Sequence, residues 1–275
     1  MTALLVAERL HVALPDHGRK RPFRAPPLAR ILHGVDFAIG HGEAVGIVGE
    51  SGSGKTTLGR ALVRLLAPSG GRIRFDGQDI THASEATLRR LRARMQMVFQ
   101  NPLSSLNPRR TILASVAAPL VARGDRAGVR AGAFAALERA GLDGGLANRY
   151  PHQLSGGQRQ RVGIARAIVT GPDFILADEI VSGLDVATQA EILDLLRGLR
   201  RDMGLALAFI AHDLSVVRVL CERVVVLHQG RIVEAGDCAS VFAAPRHPYT
   251  RHLLSAIPLP EIDDTWLDAE IEETP

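Results

Sequence analysis

The chain has 275 residues, enough for one large domain or about two small ones. Hydrophobic residues make up 46% and charged residues 23%, which excludes collagen-like, disulfide-scaffold and wholly disordered classes. A formal charge of +4, from 33 basic and 29 acidic side chains, is too small to argue for a nucleic-acid partner, and none is expected. No apolar run approaches the ~18 residues of a membrane-spanning helix. Glu8 and Arg9 fall where a signal peptide would have its apolar stretch, so a cytoplasmic chain is expected. Cys221 and Cys238 read as reduced thiols. The only lysines are Lys20 and Lys55, and the second lies inside a glycine loop.

In chain order, residues 4–14 and 31–39 read as strands, separated by a proline-rich, cationic loop from Asp16 to Arg30. A turn at Gly42-Glu43 leads into the buried-type strand 44–48, and a helix is expected from Thr56 to Leu66, stopped by Pro68 and Gly70-Gly71. Strand 73–75 turns at Asp76-Gly77, a basic helix runs from Leu88 to Arg94, and strand 95–99 follows. From Asn107 to Tyr150 alanine and leucine recur at helical spacing and strand signals vanish, as in an inserted helical subdomain. Strands at 174–177, 206–211 and 224–227 then alternate with helices at 187–201 and 215–220. The pattern implies an α/β fold with a mostly parallel sheet, an N-terminal antiparallel β portion and the helical insertion. The expected division is an α/β core segment over 1–100 that holds the glycine loop, a helical segment over 101–160, the rest of the core over 161–240, and an extension over 241–275. Seven carboxylates in the last fifteen residues read as a solvated tail.

Gly49, Glu50, Ser51, Gly52, Ser53, Gly54, Lys55 and Thr56 fit G-x-x-x-x-G-K-[ST], after a strand and before a helix. Glycines let successive N–H groups face a polyphosphate, and the following helix adds its positive end. Lys55 is placed to reach the β- and γ-phosphates and Thr56, followed by Thr57, to ligate Mg²⁺. A second strand ends in Asp178 and Glu179, which delivers two carboxylates to the sheet's carboxyl edge. Asp178 suits Mg²⁺, and Glu179 suits taking a proton from the attacking water. Gln100 ends another strand, where its amide oxygen is placed for Mg²⁺ or the water, and His212 ends a third, where its imidazole is placed for the γ-phosphate or the water.

Leu154, Ser155, Gly156, Gly157 and Gln158 make the pattern family-specific. With the phosphate loop, Gln100, the strand into Glu179, the Ser182-Gly183-Leu184-Asp185 segment and His212 in this order, residues 4–258 resemble an ABC-transporter ATPase subunit, a P-loop NTPase. The resemblance implies ATP and Mg²⁺ as cofactors and a head-to-tail dimer with a second ABC ATPase subunit. In such a dimer Ser155, Gly156, Gly157 and Gln158 face the partner's nucleotide and Asp185 crosses the interface. It also implies membrane permease subunits, a solute-binding protein in the full system, and a peripheral position on the cytoplasmic face of the cell membrane.

Val98–Arg109 and the Arg246-His247-Pro248-Tyr249-Thr250 segment are similar to the importer group for oligopeptides, dipeptides and nickel. Ile180 stands where the family usually has proline, and Gly183 where it has alanine; both loosen the backbone beside Glu179. Leu14 stands where an aromatic adenine platform is expected, with Phe23 and His11 as alternatives. Two other readings remain open on the sequence: a soluble ABC ATPase outside transport, and a weak cassette paired with an active sister.

Overall fold

The computed structural model describes residues 3–16, 26–101, 105–125 and 127–255. Apolar residues alternating with polar ones give β1 (Ala3–Pro15) and β2 (Leu28–Gly40), which pair antiparallel with Val6 opposite Ala38 and Val12 opposite Leu32. β4 (Gly70–Phe75) joins the other side of β1, and the two-residue β5 (Gln78–Asp79) completes the order β2-β1-β4-β5. Register shifts around Arg9, whose φ is +45°, bend β1 at a bulge.

The second sheet contains β3 (Ala44–Val48), β6 (Met95–Val98), β7 (Phe174–Asp178), β8 (Ala206–Ile210), β9 (Arg223–His228) and β10 (Arg231–Asp237). Its order is β10-β9-β3-β8-β7-β6, parallel throughout except for the edge strand β10. The inner strands β3, β7 and β8 are buried at every position because both faces are covered. Ala44, Ile175, Phe209 and Val226 face the helical side, while Val45, Leu176, Ile210 and Leu227 face α1 (Lys55–Leu62) and the antiparallel sheet. Arg94 ties the two layers, hydrogen bonding Asp173 before β7 and Asp76 after β4 and lying over the Phe75 ring.

Several boundaries differ from the sequence reading. Helix α1 ends at Leu62 rather than Leu66, because Arg64 turns to φ +55° and its buried guanidinium bonds the Ile80 carbonyl. The basic helix is α2 (Glu85–Leu91), begun earlier by the Ser84 cap. The expected helical insertion contains α3 (Ile112–Arg123), capped by Thr111, and α4 (Val129–Arg139), and packs on α5 (Gly156–Ile168). Beyond them come α6 (Val186–Met203) and α7 (Leu214–Leu220), both capped by aspartates. Neither β5, β10, α8 (Cys238–Ala243) nor α9 (Pro248–Ser255) is anticipated by periodicity, since all are short and half exposed. Cys221 and Cys238 are buried free thiols. The acidic tail lies outside the described residues, and none of the described helices is long and apolar enough to cross a membrane.

Phe209 is fully buried at the centre of the parallel sheet. Its replacement by alanine should cost about 3–5 kcal/mol, read as a lower denaturant midpoint.

Candidate nucleotide site

The glycine loop springs from β3, a strand pinned on both sides: Ile47 is registered with Ile210 of β8 and Val48 with Val226 of β9. That pairing brings Gly49 against the last residues of β9, where a Cβ would collide with the Leu227 carbonyl. With φ at +148°, only glycine fits. Outside the loop, Gly230 N–H donates to the Ser53 carbonyl at 2.9 Å. Inside, the buried Lys55 ammonium donates to the carbonyls of Gly49 and Glu50 at 2.6 and 2.8 Å. Burial pulls the Lys55 pKa below its ordinary value, against the pull of Glu179, Asp178 and Glu50.

Ser53 Oγ is buried without a hydrogen-bond partner, an arrangement that polar groups in proteins rarely tolerate. Gly54, at φ +106°, opens α1 with no side-chain cap, so the first N–H groups of Lys55, Thr56 and Thr57 remain for an external acceptor. Ser51 and Gly52 are exposed at the mouth. An orphaned hydroxyl, an uncapped helix start and a retained ammonium together fit a polyphosphate.

Strand β7 carries Asp178 to the same edge, 4% exposed, with Thr56 Oγ1 donating to its Oδ1 at 3.2 Å. This hydroxyl–carboxylate pair is the oxygen donor set that Mg²⁺ takes when phosphates complete its shell.

Glu179 follows in the left-handed region at φ +49°, a conformation costly for a side chain of its size and held by its N–H bond to the Ile210 carbonyl at 2.9 Å. Its Oε2 accepts from Gln100 Nε2 at 2.7 Å. The sequence reading expects the Gln100 amide oxygen at Mg²⁺ or the water; in this arrangement its amide nitrogen donates to Glu179. Glu179 and the exposed His212 share a cleft of about 60 Å³ with Ser182, Gly183 and Gln189. Ile180 is 1% exposed and belongs to the helical-side core, so the side chain in place of proline anchors the turn by packing.

The Leu154–Gln158 segment opens α5. Ser155 Oγ accepts from Gln158 N–H at 3.2 Å, and Gln158 Oε1 from Ser155 N–H at 3.1 Å, a reciprocal cap. Leu154 is buried while Ser155 is exposed. A Cβ on Gly157 would lie 2.6 Å from Thr188 Cγ2, so α6 packs directly on bare backbone there. Thr188 is fixed in turn by Asp185, whose carboxylate accepts from the Thr188 amide and hydroxyl at 2.9 and 2.8 Å. These bonds hold the Asp185 pKa below the usual carboxylate value. Sequence reasoning named Gly157 and Asp185 separately; Thr188 as their link is visible only in the packing.

Of the three adenine candidates, Leu14 packs half-buried against the antiparallel-sheet core, the His11 ring lies by Gly34 and Gly70, and Phe23 falls outside the described residues. Tyr249 also escaped the sequence reading of the site: its hydroxyl accepts from Glu50 N–H at 2.8 Å, across 199 residues that no spacing rule connects.

Residues 32–182 match the ABC transporter family, and residues 233–275 match the oligopeptide/dipeptide transporter C-terminal region. The chain is 51% identical over 236 residues to a putative peptide import ATP-binding protein of Brucella ovis, covering 85% of this chain and 74% of that one. It is 43% identical over 258 residues to the oligopeptide transport ATP-binding protein OppF of Escherichia coli, covering 93% and 77%. Among solved structures, the dimeric post-hydrolysis state of the ATP-binding cassette MJ0796 with ADP and Pi aligns with a TM-score of 0.74 at 32% identity, over 85% of this chain and 98% of that one. CbiO1 of Clostridium perfringens aligns with a TM-score of 0.75 at 30% identity, over 88% and 92%. The chain belongs to the ABC transporter family, as an ATP-binding cassette that hydrolyses ATP.

Burial pushes the Asp178 carboxyl above its ordinary 3.8, outweighing the Thr56 hydrogen bond. A carboxylate with a raised native pKa costs stability above that pKa, and the cost vanishes below 3.8, where both states are protonated. Without nucleotide, Asp178→Asn should therefore unfold at higher urea than the parent at neutral pH, the gain narrowing as the solution is acidified. An unchanged or lower midpoint at neutral pH would contradict the burial argument.

Proposed function

We propose that the chain is the ATPase subunit of a peptide importer, which closes as a head-to-tail dimer on ATP and drives separate permease subunits at the cytoplasmic face of the membrane. The observation that carries this reading is the incompleteness of the site. Among the described residues, the hydrogen bonds of Ser155 and Gln158 run to each other and to Arg159, none to the phosphate loop. The α5 start is nonetheless exposed, beside exposed Asp185 and a Val186 that is 81% exposed. A helix N-terminus with Ser155 and bare Gly156–Gly157 backbone suits a γ-phosphate offered by a second copy or a sister cassette. The peptide class rests on the C-terminal match and on the relatives' names.

In the closed dimer the loop amides from Ser53 to Thr57 and the Lys55 ammonium grip the phosphates, with the Ser53 hydroxyl gaining its missing partner. Thr56 and Asp178 would hold Mg²⁺, which would supply charge neutralisation to the phosphates. Glu179 takes the proton from the attacking water, with Gln100 steadying its carboxylate and His212 facing the same cleft. ADP and phosphate then repel across the interface and the halves separate. Permeases read that cycle as movement, and a solute-binding protein would deliver the cargo.

Glu179→Gln should bind ATP with near-parental affinity and hydrolyse it at least ~100-fold more slowly, the usual scale of a lost general base. A persistent ATP-loaded dimer should appear in size-exclusion chromatography, and parental turnover would remove Glu179 from its role. Ser155→Arg should keep ATP binding by the monomer and lose ATP-dependent dimerisation; dimers that survive it would sink the proposed interface.

A further inference from the structure

Tyr249 belongs to α9, in the segment matched by the oligopeptide/dipeptide C-terminal region, yet its hydroxyl reaches the phosphate loop. Three anchors put it there. The Glu234 carboxylate of β10 accepts from the amides of Arg246 and His247 at 2.8 and 3.0 Å, fixing the turn before α9. His247 Nδ1 accepts from the Tyr249 amide at 3.2 Å. The Tyr249 ring packs on His228 at the end of β9, with centroids 3.8 Å apart and planes tilted by 37°. The hydroxyl is thereby delivered to the outer side of the loop.

Its partner is a single peptide unit away from the loop's internal grip. Glu50 N–H donates outward to Tyr249 Oη at 2.8 Å, while the Glu50 carbonyl accepts inward from Lys55 Nζ at 2.8 Å. Two of the three Lys55 ammonium protons go to the Gly49 and Glu50 carbonyls, so a polyphosphate that draws the ammonium toward itself competes with the inner bond. The outer one does not depend on the ligand. We infer that Tyr249 is a positioning residue by which the C-terminal extension braces the phosphate loop, keeping the Glu50 backbone in its binding conformation while Lys55 engages the nucleotide. The inference rests on Lys55 engaging the triphosphate.

Tyr249→Phe removes the acceptor and keeps the ring on His228. Loss of one hydrogen bond of this kind corresponds to about a three- to tenfold change in an equilibrium constant. The expected result on the full chain is a rise of that size in the KM and dissociation constant for Mg-ATP, with kcat at saturation unchanged. The Glu50 amide should exchange faster with deuterium in the absence of nucleotide, and the thermal midpoint of the nucleotide-free protein should stay within about a degree of the parent's. Glu234→Gln, which weakens the turn beneath Tyr249, should shift KM in the same direction. An unaltered KM with faster Glu50 exchange would overturn the bracing role, and so would a fall in kcat without a change in KM. The parent protein is the control: if Lys55→Ala leaves its ATP affinity intact, the phosphate-loop reading fails, which is separable from a Tyr249→Phe effect that is merely absent.

Discussion

The parallel pairing of β3 between β8 and β9 sets the geometry on which everything else rests. Three strands buried on both faces must end at one edge, and there β3 releases the glycine loop, β8 leads to His212, and β9 leads to the carbonyl of Leu227 that presses on Gly49. β7 adds Asp178 and Glu179 to the same edge through its pairing with β8. Hydrophobic burial fixes the register, and the register fixes which side chains meet. A one-residue slip of β7 would turn Asp178 into the wrong layer, since alternate residues of a strand face opposite sides.

That edge is chemically tense by design of its packing. Lys55 and Asp178 are both pulled from water, and each is displaced toward its neutral form by burial. Glu179 sits in a strained backbone conformation, and Ser53 has a hydroxyl with nothing to bond. Such costs are tolerated where a ligand relieves them, and a triphosphate supplies charge and acceptors that this set lacks. The rest of the domain, with two dense cores on either side of the sheet, provides the stability that offsets them.

A second theme is how distant segments converge on short backbone stretches. Gly157 of the α5 start rests on Thr188, which Asp185 holds, so two motifs that read as independent are one packed unit. On the opposite side Gly230 and Tyr249 grip the outside of the phosphate loop at Ser53 and Glu50. The phosphate loop is therefore held by elements drawn from the whole length of the chain, the C-terminal extension included.

Much of this was legible in the residues themselves. The glycine loop with its lone lysine between a buried strand and a helix, the apolar strand ending in Asp178-Glu179, and Leu154–Gln158 opening a helix are local patterns whose physics is complete within a few positions. Short strands and half-exposed helices such as β5, β10, α8 and α9 carry too few buried residues to leave a period, and pairing or docking alone defines them. The same holds for side-chain meetings. Gln100 reaches Glu179, Thr188 reaches Gly157 and Tyr249 reaches Glu50 because the fold closes gaps of 79, 31 and 199 positions. Sequence by itself determined the chemistry on offer and the order of the elements, since both depend on neighbouring residues. Which groups touch was decided by tertiary structure, because a hydrogen bond acts over about 3 Å and chain separation says nothing about distance once the core has formed.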